Sequence, residues 1–501
     1  MTLGECAAGP AGEAESCIGR VSVTVSIMIM QYHYDQRVAS RHFEHEPSTP
    51  SAQGLADTPI HLTRRRKPMM TSTIRCRRWL LSSLASVCML TACGGGVESE
   101  AEHEHENTAI DTAGRLAVTE VNTATLRIHD LDSGTVEASH VMQGAPSAVY
   151  ASPGGRYAVV PQRTQDRVQF VDGGIYQEDH GNHLHDYKQA SRAVSYVLAG
   201  ARPTHYDNQA GVQAAFFLDG NSAATPVQNA GVRLFTDASI AAGNLVASLD
   251  LSTPMHGLAE PVGNKLLAGW SVGTDTLPTK LALHQRNGAA YTLVRELPTV
   301  CTGMHGSFSA GSSTLVGCTS GMMLVKHPTA TTVSDGQLLV TALRVGTIAG
   351  HPRLPDHFIG IATEGTAPAP VTTRFYAVNG ETATVSDFTP EGWATSRVRR
   401  AHGFDRSGQR FFIVDDQGTL IVAQRQGAGW VNLLRVTAAI PTMPTAAPWP
   451  AMAANGAKDE VYVTDPVARQ LVVVNSVTGA VVTRRDLGYT PSALAWLGII
   501  R

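Results

Sequence analysis

The chain of 501 residues carries no surplus of positive charge: 39 Lys and Arg stand against 42 Asp and Glu, a formal net charge of -3. That balance argues against nucleic acid as a partner, since phosphate backbones select basic faces. No apolar run is long enough to remain in a bilayer as a helix. The best, Trp79 to Leu90, has 12 residues, where a span needs roughly 20. The glycine-rich motifs that cradle phosphates or dinucleotides are missing, and so is the G-x-S-x-G elbow of serine hydrolases. Ser307-Phe308-Ser309-Ala310-Gly311 comes nearest, but its serine stands first and it lies in a β-rich run. No convincing amphipathic helix appears from Arg115 onward. Cysteine is scarce, with seven in all.

What the N-terminal part does contain is a sequence of signals. Residues 1–68 mix a short apolar run with His/Glu/Arg-rich and Ser/Pro-rich text, without periodicity, and read as an upstream extension before a start at Met69 or Met70. Residues 69–93 then supply Arg75, Arg77 and Arg78, the apolar segment, and Leu90-Thr91-Ala92-Cys93. That is the order of a cleaved export signal. Small residues before a cysteine resemble the lipobox of bacterial lipoproteins, an ordinary secretory signal being the alternative. The resemblance implies that Cys93 becomes the lipidated first residue, tethering the chain to a membrane by lipid alone; Gly94 after it favours the outer membrane of a Gram-negative-type envelope. Residues 94–113 are acidic and nearly devoid of apolar side chains, the composition of a disordered tether. Fully extended it reaches roughly 65–70 Å. Its His103-Glu104-His105-Glu106 is either a solvated linker or a mobile arm that catches metal.

Four cysteines precede the cleavage point and Cys93 is at it, leaving Cys301 and Cys318. An even pair in an oxidising compartment suits a disulfide; a thiolate metal ligand at Cys318, close to His305, is the alternative.

From Arg115 the text is short β runs broken by turn residues. Thr125-Leu-Arg-Ile-His-Asp-Leu-Asp-Ser-Gly134 and Leu471-Val-Val-Val-Asn-Ser-Val-Thr-Gly479 share a strand and turn that resemble the YVTN class of propeller repeats. A histidine recurs at His205, His256, His305, His351 and His402, at intervals of 51, 49, 46 and 51 residues. That is the length of one propeller blade. Inner strands are expected to start near Ala148, His205, His256, His305, His351, His402, Met452 and Ala493. The fold expected for residues 114–501 is therefore an all-β propeller of eight blades, or seven if one boundary shifts. Its last strand, Pro491 to Trp496, has too little chain after it and must be completed by strands between Arg115 and His140.

Five histidines at one phase would face one channel mouth, either as ligands or as local blade features. Geometry allows two or three of them to reach one ion. A denser signal is Glu178-Asp179-His180-Gly181-Asn182-His183-Leu184-His185-Asp186-Tyr187. Imidazole is the usual ligand of zinc and copper, and carboxylates orient its second nitrogen. Ordinary blade topology puts this loop on the face opposite the histidine ring, so it either folds into the channel or makes a second site.

These residues resemble the AztD-type periplasmic zinc metallochaperones, through the Glu178–Tyr187 loop, Arg202-Pro-Thr-His205, Cys301 to Gly306, His256-Gly257 and His402-Gly403. The resemblance covers nearly all of residues 114–501. It implies a zinc-binding and transfer protein that hands zinc to the solute-binding protein of a zinc ABC importer; a monomer, and no enzyme, is expected. Two features depart from it: the lipobox, and an arm with only two histidines. The expected zinc ligands come from His180, His183, His185, Asp186, His205 and His256, with His305 and His402 as supports and His351 as the weakest member. The expected set leaves no open catalytic position. Two rivals are a copper-binding propeller enzyme built on the histidine ring and a metal-free surface scaffold.

Overall fold

The computed structural model describes residues 109–501 except 272–274, 330, 367–370, 391–392, 394–395 and 428. The expected upstream extension, export signal and tether histidines His103 and His105, with Cys93, lie outside the described residues.

The second strands of the blades, such as Tyr157–Gln162, Gln213–Leu218 and Ser313–Cys318, are buried along their whole length. Apolar side chains on both faces are what a strand needs when other sheets cover it on both sides. Outermost strands read differently. Gly429–Val436 alternates exposed and half-buried residues, the period of a strand with one wet face. Strands of these two kinds assemble into eight four-stranded blades, two of them joined where Ser248 pairs with Ala290. Eight clusters of buried apolar residues lie between successive blades, the eighth closing the ring.

Numbered from the first complete one, the blades have inner strands beginning at Tyr150, Pro203, Ala259, Ser307, Val345, Arg399, Met452 and Pro491. Blade 8 joins Pro491–Leu497 to Arg115–Glu120, Thr125–Asp130 and Val136–Val141, in the register Arg115↔Leu497, Ala117↔Ala495. The expected closure between chain ends is therefore present, and it leaves the ring without an open edge.

Blade 5 differs from the sequence expectation. Its inner strand is Val345–Gly350, so His351 follows the end of that strand instead of opening it. There its Nδ1 accepts from the Arg353 N–H at 3.1 Å, and its ring packs 6.0 Å from that of Phe404. A short connection before Val345 brings blade 5 in early, which an interval between histidines does not reveal.

Candidate metal centre

Three histidines reach the mouth from different backbone positions. His205 lies inside its strand, just past a bulge, and pairs with Phe217. His256 lies in the lead-in to the strand Ala259–Val262, and the preceding Met255 N–H donates to Asp219 O at 2.9 Å. Gly257 is required next, because a Cβ there would stand 2.4 Å from the buried Phe217 ring. His305 occupies a second bulge, its N–H donating to Gly317 O while Gly306 O accepts from the Gly317 N–H, both at 2.9 Å.

The side chains converge. His205 Nε2 and His256 Nε2 are 3.0 Å apart, and ring centroids are separated by 4.7, 5.1 and 5.3 Å. Ligand atoms of all three lie within 4.8 Å of one another. Among the described residues, no other three His, Cys, Asp or Glu side chains meet that condition.

Second partners set the tautomers. His305 Nδ1 donates to Gly346 O at 2.9 Å, since a carbonyl can only accept. His256 Nδ1 donates to Asp219 Oδ2 at 3.1 Å, and Arg163 holds the same oxygen at 2.8 Å. With Nδ1 protonated, His256 and His305 each keep an Nε2 lone pair for an ion, the second-partner arrangement of metal sites. Burial, helped by His256 and His305, depresses His205 to about 3, and burial also lowers His305. His205 and His305 are thus neutral at neutral pH, as metal binding requires. Three imidazoles suit zinc or copper and leave a tetrahedral ion its fourth position. A fully protein-ligated ion was expected, but the nearest carboxylate, Asp219, stands behind His256 instead of beside it.

His402 is absent from this group. In blade 6 the position of His205 is taken by Ala401, which also follows a bulge and pairs with the penultimate residue of the second strand, Val414. His402 is one residue further, which turns its side chain to the other face of the sheet. There it meets Arg399 at 2.8 Å and the Phe411 ring, and burial pushes it well below its ordinary value.

The histidine-rich loop is a hairpin of Ile175–Asp179 and Leu184–Lys188, inserted between the third and fourth strands of blade 1. Its turn is closed by His180 N–H to His183 O at 3.0 Å and by Gly181 at φ +88°. The rings of His180, His183 and His185 stand 4.6 to 5.2 Å apart. Asp186 points elsewhere. It is 5% exposed and accepts from Ile110 N–H and Gln177 Nε2, both at 2.8 Å, and from Arg501. Its oxygens clamp the hairpin to Ile110 and Arg501 in place of the expected role as a ligand. The hairpin leaves the blade where Asp172 pairs with Tyr157, the end opposite the inner-strand starts. Ring and hairpin are therefore two clusters on opposite faces, and the loop does not enter the channel.

Cys301 and Cys318 form a disulfide with a Cα–Cα distance of 5.7 Å, so Cys318 is not a thiolate ligand. Its bridge anchors the lead-in to His305. Sequence reasoning missed Asp219 and Arg163. An aspartate after a second strand was a usable signal, since Asp219, Asp415 and Asp465 all end or follow such strands.

No family model matches the chain. Over 222 residues, 44% of its length, it is 25% identical to the zinc chaperone AztD of Citrobacter koseri, and the match spans 50% of that relative. The crystal structure of C. koseri AztD covers 76% of this chain and 96% of its own, with a TM-score of 0.61 and 18% identity. Apo AztD from the same organism gives 0.59 and 17%, covering 76% and 97%. The chain is AztD-like in sequence, and it shares the AztD propeller fold.

Proposed function

We propose that this chain is a zinc-binding chaperone of the periplasm, held to a membrane through Cys93, that passes zinc to the solute-binding protein of a zinc ABC importer. The observation that carries the reading is the His205–His256–His305 triad, with the Nδ1 protons of His256 and His305 already assigned by Asp219 and Gly346. Likeness to a protein named zinc chaperone AztD supports zinc as the ion. An open fourth position suits a carrier, because an incoming ligand can join before a histidine leaves. It is also the pattern of catalytic zinc sites, which makes hydrolysis the second reading. The hairpin histidines His180, His183 and His185 form a second, more exposed place of capture on the other face.

The test is elemental analysis of the full chain purified without chelator, followed by competition titration. Zinc is expected in the wild type, and His205→Ala with His256→Ala should weaken binding at the triad more than about 100-fold, since a lone imidazole remains. Copper with strong visible absorption would favour the copper-binding propeller enzyme, and absence of metal the scaffold. Zinc-loaded protein should also deliver zinc to the apo solute-binding protein faster than release into a chelator.

A further inference from the structure

The mouth that holds the triad is ringed by arginines without a carboxylate. An arginine marks the start of the inner strand in three blades: Arg202 just before Pro203–Gln209, Arg344 just before Val345–Gly350, and Arg400 inside Arg399–Phe404. A shared place in the blade puts all three on one face of the propeller. Two of them adjoin the triad. Arg202 is three residues before His205, and Arg344 Nη2 donates to Gly303 O at 3.2 Å, two residues before His305. Arg400 lies over the Trp449 ring at 3.8 Å, and its Nε is buried without a hydrogen-bond partner. Arg344 is exposed, and Arg202 and Arg400 are half-buried.

Acidic groups on this face are already engaged. Arg163 holds Asp219, Arg397 holds Asp415 and Arg127 holds Glu120. Asp166 and Asp416 accept the N–H groups of Arg202 and Val398. Among the described residues, no carboxylate comes within ion-pair distance of Arg202, Arg344 or Arg400. Asp416 acts on Arg400 from further off and Arg399 opposes it, while no charged group acts on Arg344. In a chain of net charge -3 this cationic rim does not follow from composition. The opposite mouth is covered: Gly498 and Arg501 N–H donate to Gly155 and Gly456 O, both at 2.9 Å, and Arg353 reaches Arg501 O at 2.7 Å. Those contacts come from blades 1, 7 and 5, so residues 498–501 lie across the channel there.

Like charges held together without an internal counter-charge repel one another, and a partner that supplies the acid relieves them. Guanidinium forks match carboxylates, and cations at the rim of an interface steer an acidic partner into register. We propose that Arg202, Arg344 and Arg400, with Trp449, form a docking surface around the triad mouth for an acidic protein segment. Such a segment reaches the open fourth position of the triad from this side. That the docked protein takes zinc rests on the function proposed above; the docking itself does not.

A fluorescein-labelled polyglutamate peptide is the probe, titrated against the full chain without metal and followed by anisotropy. Wild-type binding should weaken steeply with salt, as the screening length falls from about 30 Å at 0.01 M to about 8 Å at 0.15 M. Arg202→Glu/Arg344→Glu/Arg400→Glu should cut the affinity more than about tenfold, because like charges then meet. Where that variant fails to fold, Arg344→Gln, at an exposed position, should still lower it about two- to fivefold, the scale of one exposed ion pair. Equal peptide affinity in the wild type and both variants would overturn the docking surface. Arginine-dependent binding to phosphatidylglycerol vesicles, with no binding of polyglutamate, would overturn it too. Arginine-dependent peptide binding by a chain that proves to hold no zinc would leave the surface standing and overturn the zinc reading alone. Transfer to the apo solute-binding protein that slows in the charge-reversed variant, with release into chelator unchanged, would support both together.

Discussion

Asp219 leaves the second strand of blade 2 and reaches two ways, to His256 Nδ1 at 3.1 Å and to Arg163 at 2.8 Å. Its hydrogen bonds to His256, Arg163 and Thr204 overcome the cost of burial and keep its carboxyl below the usual range, so it stays ionised. An ionised acceptor behind an imidazole fixes the ring and raises the basicity of the nitrogen that faces the ion. Asp219→Asn keeps the shape but removes the charge. Zinc affinity at the triad should fall about 10- to 100-fold by competition titration. Thermal unfolding distinguishes this from general damage, since Arg163 loses its partner as well. Unchanged affinity would mean that the triad is positioned by the backbone alone.

Among the elements, the hairpin Ile175–Lys188 depends least on the propeller core. Stacking of Tyr176 on Tyr187, 5.0 Å between centroids, stiffens it, and Asp186 ties it to Ile110 and Arg501. His183→Ala with His185→Ala should remove the zinc captured on this face, while triad binding and the unfolding temperature stay as they are. If the stoichiometry did not change, the hairpin would have no part in capture. The propeller was legible in the sequence because turn residues and a 46–51-residue interval repeat along the chain. Closure by Pro491–Leu497 was legible because that strand has too little chain after it. Which histidines meet was only half legible. Sequence intervals count residues, whereas facing depends on bulges and connection lengths, so Ala401 holds the place expected of His402 and His351 falls at a strand end. Asp186 looked like a ligand because it neighbours histidines in sequence, while Asp219 neighbours His256 only in space. Proximity along the chain is visible in one dimension; second partners are chosen in three.

At the scale of the whole molecule, stability rests on a ring that one blade must close from both ends of the chain. Blade 8 buries Leu116, Leu126, Trp496 and Leu497 against its neighbours, and it also buries His129, whose Nε2 lies 2.6 Å from Tyr489 Oη. Burial, then the charges of Arg127 and Arg485, push His129 down to about 4. The sign follows from the two states. Unfolded, this histidine takes a proton near pH 6.5, whereas folded it resists until about pH 4, so the unfolded chain binds more protons in between. Its contribution is complete above pH 6.5 and is lost as pH falls toward 4, by about 3 kcal/mol at most. Buried carboxyls such as Asp207 and Glu260 are shifted upward and oppose that trend, so the total profile mixes both signs. The difference between wild type and His129→Gln isolates one group, because glutamine can still bond Tyr489 but does not titrate. Denaturant unfolding from pH 7 to pH 4 should show the wild type losing ground steadily against the variant. A difference that stays constant with pH would mean that His129 is protonated in the folded ring, and that closure tolerates a charge between blades 7 and 8.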